Sequence, residues 1–263
     1  MKKNNYLKNA FVTKLLLTFL ISKSAFSAQE SGPTAKDAEK KSFKLSVGLG
    51  IALKNNIRKD NNNSGTGGDI VFSPIPLIQF AWGPISLGAQ GLNASVYGNR
   101  QMGVFFNLNS MGDRYNGSGM DDRENSWFLG AGFRFHKLSF LYSHDLQGRS
   151  HGKKITLHYT EMYPIGTKFF TRSAVGAECY NRSYADYYFG VKASEVTTTR
   201  SEYHTGGYCI PAVSFFPGYK YDENISFLTG LSLKGIPKEI RRSPTTTGTW
   251  LETAIILGGI WQF

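Results

Sequence analysis

From Phe43 onward the chain is built of runs of 9–13 residues in which apolar and polar positions alternate. A period of two puts apolar side chains on one face of a strand and polar ones on the other. In 126–136, Trp127, Leu129, Ala131, Phe133 and Phe135 share one face, and Gly130, Gly132, Arg134 and His136 the other. In 224–234, Phe227, Leu231 and Leu233 oppose Ser226, Gly230, Ser232 and Lys234; in 167–180, Phe169, Val175 and Ala177 oppose Lys168, Arg172 and Glu178. The pattern predicts strands over 43–53, 69–81, 85–97, 100–109, 126–136, 138–146, 153–164, 167–180, 205–219, 224–234 and 249–263. The connections are rich in Gly, Asn, Asp, Ser and Pro, the residues that tolerate turn geometry.

These runs have the length of a tilted membrane strand. The expected fold is therefore all-β, an antiparallel transmembrane barrel. Eleven runs is an odd number, and single-chain barrels of this kind have even ones. The run 85–97 contains Gly88, Gly91 and a second polar stretch. Dividing it gives about 12 strands; 10 is the alternative. With both termini periplasmic, the turns at 136–137, 164–166 and 222–224 face the periplasm. The long segments 54–68, 110–125, 181–204 and 235–248 are then extracellular. Lys234, Lys238, Arg241 and Arg242 are there read as either solvated or facing the phosphates of lipopolysaccharide and other outer-membrane lipids.

The two ends of the chain carry their own signals. Lys2, Lys3 and Lys8 precede an apolar stretch at 10–21, and Ala25 and Ser27 place small residues before Ala28. That is the pattern of a secretory signal peptide over 1–27. A polar lead-in follows at 28–42, and the barrel occupies 43–263. The last strand carries Ile255, Leu257, Trp261 and Phe263 on one face. An aromatic final residue on an apolar strand face reads as an assembly signal for the outer membrane, with Trp261 and Phe263 as its parts.

Composition narrows the function classes. The chain has 263 residues, 41% hydrophobic and 14% aromatic, with a mean hydropathy of −0.28. The N-terminal 27 residues hold five lysines and no acid, so the net charge of +11 falls to +6 without them. The remaining charge is not gathered on one helix, and no nucleic-acid partner is expected. The sequence contains neither a glycine-rich nucleotide loop nor paired histidines at ligand spacing, so no cofactor or metal is expected.

Catalysis is tested by alternation. In Ser143-His144-Asp145 the first and last share a face and His144 cannot join them. Ser150-His151 lies in a turn, and His158 reads as a histidine of the lumen. No catalytic residue is assigned. Arg134, Asp145, Arg172 and Glu178 are expected inside the barrel, where they could pair across it.

Tyr184-Ala185-Asp186-Tyr187-Tyr188-Phe189-Gly190-Val191 resembles the tyrosine-rich signature of the MipA/OmpV family of outer-membrane proteins. Ser243-Pro244 before the last strand, 72–78 with its Pro-x-Pro, and Asp121-Asp122-Arg123 are similar to that family as well. The resemblance implies a non-enzymatic barrel. Its namesake scaffolds a lytic murein transglycosylase and a peptidoglycan synthase, and other members are surface proteins, adhesive ones among them. A narrow pore or a loop-borne binding surface is the alternative, and a lipid-modifying enzyme the least favoured. Tyr184, Tyr187 and Tyr188 read as a binding surface, an interfacial girdle or a loop anchor.

Cys179 and Cys209 flank the loop 181–204. Antiparallel partners keep a constant index sum, and a loop centred on 194 gives 388, the sum of 179 and 209. That register sets the cysteines opposite each other, at a spacing a disulfide tolerates; two unpaired residues on the lipid side are the alternative.

Export with cleavage after Ser27 is expected. N-terminal sequencing of the membrane fraction should begin at Ala28; cytosolic protein with 1–27 intact would contradict it.

Overall fold

The computed structural model describes residues 43–59, 69–99 and 101–263. The leader at 1–27, the lead-in at 28–42 and most of the loop at 54–68 lie outside the described residues. Twelve antiparallel strands close into one barrel, each next to its sequence neighbour, with the last paired to the first. They are β1 Phe43–Asn55, β2 Ile70–Trp82, β3 Ile85–Gly88, β4 Gly91–Gly98, β5 Met102–Met111 and β6 Ser126–Phe135. The second half has β7 Leu138–Asp145, β8 Lys153–Ile165, β9 Phe169–Tyr180, β10 Tyr208–Lys220, β11 Ile225–Gly235 and β12 Leu251–Gln262. The run 85–97 is two strands, turning at Ala89-Gln90 between Gly88 and Gly91.

Closure pairs β1 with β12, so neither is left as an edge in lipid. β1 and β12 pair from Ser46–Gln262 to Lys54–Ala254. They approach so closely that a side chain at Gly48 would strike the backbone oxygen of Gly259. Phe263 extends the seam: its N–H donates to the Leu45 carbonyl at 2.9 Å, and its ring stacks on Trp261.

Alternation sorts the side chains as the sequence pattern requires. Trp127, Leu129, Phe133 and Phe135 of β6 point outward and are exposed, while Ser126, Phe128, Gly130 and Gly132 point inward and are buried. Phe43, Trp82, Phe135, Phe169, Tyr221, Trp261 and Phe263 form an exposed aromatic belt toward the periplasmic ends, where amphipathic rings favour the membrane interface. Short turns connect that end. His136 at φ 51° makes the β6–β7 turn, and Gly166 at φ 66° the β8–β9 turn.

Two expectations need correction. Three helical segments interrupt what the sequence presented as strands and turns. They are α1, Arg182–Phe189; α2, Lys238–Arg241; and a 3-10 turn, Ala193–Glu195. Lys234 is not a loop residue: it stands on the inner face of β11 with Glu252 at 3.7 Å.

The register of β9 and β10 pairs Cys179 with Cys209, and the two are bonded as a disulfide with Cα atoms 4.0 Å apart. Cross-linking a loop of about 30 residues is worth roughly 3.6 kcal/mol in the chain-entropy model. Mass mapping without reductant should find no free thiol, and reduction should lower denaturant stability by an amount of that order. Two free thiols in freshly isolated membranes would contradict the bridge.

Candidate functional site: a plugged and capped mouth

The segment after β9 turns inward because it is amphipathic as a helix. Tyr184, Ala185, Tyr188 and Phe189 recur at helical spacing and are buried, while Arg182, Ser183, Asp186 and Tyr187 lie toward the polar side. Asn181 starts the helix: its side chain accepts from the Tyr184 N–H at 3.2 Å, a standard N-cap. The same oxygen accepts from the Lys153 N–H at 2.8 Å, which ties the helix start to β8.

α1 lies in the extracellular mouth. Its buried face packs against Met111 of β5, Phe128 of β6, Tyr208 of β10, and Ile236 and Ile240 of the last loop. Tyr184 stacks on Tyr180 at 4.4 Å and meets Phe128 edge-on at 6.1 Å. Each buried ring contributes about 2 kcal/mol of apolar burial. Burial pushes the Tyr184 and Tyr188 hydroxyls well above their usual pKa. The Tyr188 hydroxyl donates to the Glu124 carbonyl at 2.8 Å.

Two buried arginines fasten the loops over this helix. Arg58, from the β1–β2 loop, donates to the Tyr188 carbonyl at 2.7 Å, to Thr245 at 2.8 Å and to Asp113 at 3.1 Å. Its guanidinium also lies over the rings of Phe189 and Tyr115, at 4.1 and 4.7 Å. Arg123 makes a two-pronged bond to Glu195 at 2.7 and 2.8 Å, with both side chains at most 3% exposed. Burial raises the Glu195 pKa, but the Arg123 bond and the Lys192 and Asp121 amides outweigh it and hold it low. Ser243 donates to the Phe189 carbonyl at 2.6 Å, and Pro244 sits between it and the buried Thr245. Val191 bridges to Tyr203, and Gly190 donates its N–H to Asp186 at 2.8 Å. On the outer side His204 contacts Asp186 at 3.1 Å and Glu202 at 3.1 Å, and these bonds raise its pKa.

The tyrosine-rich segment is therefore an internal anchor. It brings Asp186, Tyr188, Gly190, Val191 and Ser243 to one place. Sequence reasoning left it between a binding surface, a girdle and a loop anchor, did not see the helix, and missed Arg58, Tyr115 and Glu195. The available signal was Asn181 followed by apolar residues at 184, 185, 188 and 189, an N-cap with helical periodicity. Nothing local in the sequence marks Arg58, and the resemblance around Asp121-Asp122-Arg123 does not give Arg123 its partner.

Below the mouth, charged pairs line the outer ends of the strands. Lys154 pairs with Glu178 at 2.6 Å, and the Tyr180 hydroxyl donates to Glu178 at 2.8 Å. Ala52, Ile75, Leu77, Phe216, Ile256 and Ile260 form an apolar cluster on the inner faces of β1, β2, β10 and β12, one side of the wall. The four residues expected to pair across the lumen all face it, but they stand apart. Asp145, at the extracellular end of β7, accepts from Ser126, Ser150 and the Gln147 amide. Glu178 pairs with Lys154 instead. Arg172 is buried on β9, and Arg134, near the periplasmic end of β6, lies over the Phe105 ring at 5.5 Å. Ser143 and Asp145 face the lumen while His144 faces out.

Because Arg123 and Glu195 are both buried, removing one strands the other, at about 3–5 kcal/mol. Arg123→Leu should leave the barrel folded and make the segment 193–203 susceptible to protease added to whole cells. Unchanged protection would contradict the role assigned to this pair.

Several known proteins are similar to this chain. The family model described as MltA-interacting protein MipA matches residues 43–263. Outer membrane protein Omp26La of Vibrio anguillarum is 25% identical over 121 residues, 45% of this chain and 47% of that one. Outer membrane protein OmpV of Vibrio cholerae serotype O1 is 32% identical over 83 residues, 32% of this chain and 30% of that one. The chain thus spans less than half the length of either relative. A solved outer membrane channel from Pseudomonas putida F1 covers 83% of this chain and 96% of its own, at 11% identity and a TM-score of 0.37. With the family model matched from the first strand to the last residue, the chain belongs to the MipA family and is an integral β-barrel of the outer membrane.

Proposed function

We propose that this protein is a non-enzymatic, non-conducting barrel with a structural, scaffolding role in the envelope. On this reading it holds peptidoglycan-remodelling enzymes, a lytic murein transglycosylase and a peptidoglycan synthase, at the periplasmic face. The observation that carries the proposal is the plugged mouth: α1 fills it, two buried arginines hold the cap, and an apolar cluster lies beneath. A bore occupied in this way leaves the rims as working surfaces. The family's description as a protein interacting with MltA supports a murein enzyme as the partner.

A stable interface buries roughly 800 Å² per partner, more than the short periplasmic turns offer, so residues 28–42 contribute to it. The leader at 1–27 delivers the chain, and Trp261 with Phe263 directs its assembly. A second reading, a surface-binding protein acting through its extracellular loops, is favoured by the packing of the cap into a fixed layer around Arg58 and Arg123.

The purified protein in planar bilayers should show no steady conductance. From crosslinked envelopes it should retain a murein transglycosylase, and it should lose that partner when 28–42 is deleted. Steady channels, or recovery of no murein enzyme, would contradict the proposal.

A further inference from the structure

The outer wall of the barrel is not smooth. An apolar groove of about 640 Å³ runs across it from β9 to β1, over β10, β11 and β12. That volume lies in the range of ligand pockets, roughly 300–1,000 Å³. Pro217, Thr229 and the backbones of Gly218 and Gly258 form its floor, and Leu49, Leu257 and Phe227 rise beside it. The floor is low because its side chains are short or absent, and because the β10–β11 register is broken at Phe216 and Pro217. The groove is open. Leu49 is 76% exposed, more than any other large apolar side chain among the described residues, and Phe227, Leu257 and Thr229 are exposed too.

Its two ends differ. The upper end lies at Leu49, midway along β1, and Leu257, midway along β12. The lower end lies at the periplasmic rim, where Phe169 and Tyr219 are register partners with rings 5.0 Å apart. Lys168 and Lys220 adjoin that pair. Both are exposed, and the Lys220 N–H donates to the Lys168 carbonyl at 2.7 Å. The turn after Lys220 carries two acids: Asp222 accepts from the Asn224 and Ile225 amides, and Glu223 is exposed. From rim to mid-wall is the depth of one leaflet's hydrocarbon, roughly 15 Å.

We propose that this groove holds one phosphatidylethanolamine of the periplasmic leaflet, an acyl chain lying from Tyr219 to Leu49 and the head at Lys168, Lys220 and Glu223. A chain seated in a concave apolar groove gains close contacts on three sides, where an even wall gives them on one. The foot carries both signs of charge. The lysines pair with a phosphate and Glu223 with an ammonium, and such charge-assisted bonds are the strong ones. A head of a single sign would leave half of the foot unmatched. The groove lies on the outer wall, so it is independent of whether the bore conducts or a murein enzyme is held.

Photolabelling of the full-length protein in non-ionic detergent micelles tests this. The probe is a phosphatidylethanolamine carrying a diazirine midway along one acyl chain. Adducts are expected at Leu49, Thr229 and Leu257, displaced by excess phosphatidylethanolamine and not by diacylglycerol, which lacks the head. Lys168→Glu together with Lys220→Glu should reduce them roughly tenfold, by loss of charged hydrogen bonds. Thr229→Trp, which fills the floor, should abolish them. Ala131→Trp, outward on β6 and away from the groove, should leave them unchanged, with heat-modifiability reporting an intact barrel for each variant. Adducts spread evenly around the wall, displacement by diacylglycerol, or a Leu49→Cys protein that crosslinks to a second copy in membranes would overturn the proposal.

Discussion

A backbone inside hydrocarbon must find all its hydrogen-bond partners within the protein. Everything else in this structure follows from how the chain meets that demand. Twelve antiparallel strands close on themselves, and the seam between first and last is tight enough that Gly48 has no room for a side chain beside β12. Closure then fixes the side chains: with a period of two, each strand sends one set into lipid and the other into the bore. The outward set is aromatic and aliphatic. The inward set mixes small, polar and charged groups, and this mixture leaves room at the mouth for a helix.

The helix gives the mouth of the bore a core. Tyr184, Ala185, Tyr188 and Phe189 supply for the mouth the apolar contacts that a soluble protein finds in its interior. The cap over them is held by charge. Arg58 reaches the carbonyl of Tyr188 from the first loop, and Arg123 and Glu195 join two others at close to zero exposure. Buried pairs of this kind add little net stability over apolar packing, yet they allow only one arrangement of the loops. The cap is accordingly a specified structure, with loops from four parts of the chain converging on α1. The charged pairs Lys154–Glu178 and Lys234–Glu252 do the same for the strand ends below.

The barrel was legible in the sequence because its signal is local and repeated. Trp127 to Phe135 and Phe227 to Leu233 alternate cleanly, and Gly88 and Gly91 marked where one run becomes two strands. The index sum of Cys179 and Cys209 follows from the same regularity, since a hairpin register is set by its loop centre. What was not legible lies in the loops. α1 has helical spacing over only eight residues, within a chain whose period is otherwise two. Arg58 and Tyr188 are 130 residues apart, and Arg123 and Glu195 are 72 apart, so no local pattern connects them. For Arg134, Asp145, Arg172 and Glu178 alternation gives a face and not a height, and their partners depend on height.

The central claim is that α1 and the cap close the bore from outside. It is tested most directly by labelling an inward-facing position with a bulky, membrane-impermeant maleimide added to whole cells. Thr156→Cys, on the inner face of β8 and 7% exposed, is suited to this. The account predicts negligible labelling of this thiol in the intact protein, and rapid labelling once residues 182–189 are replaced by a glycine-serine linker. Rapid labelling with α1 in place would contradict it.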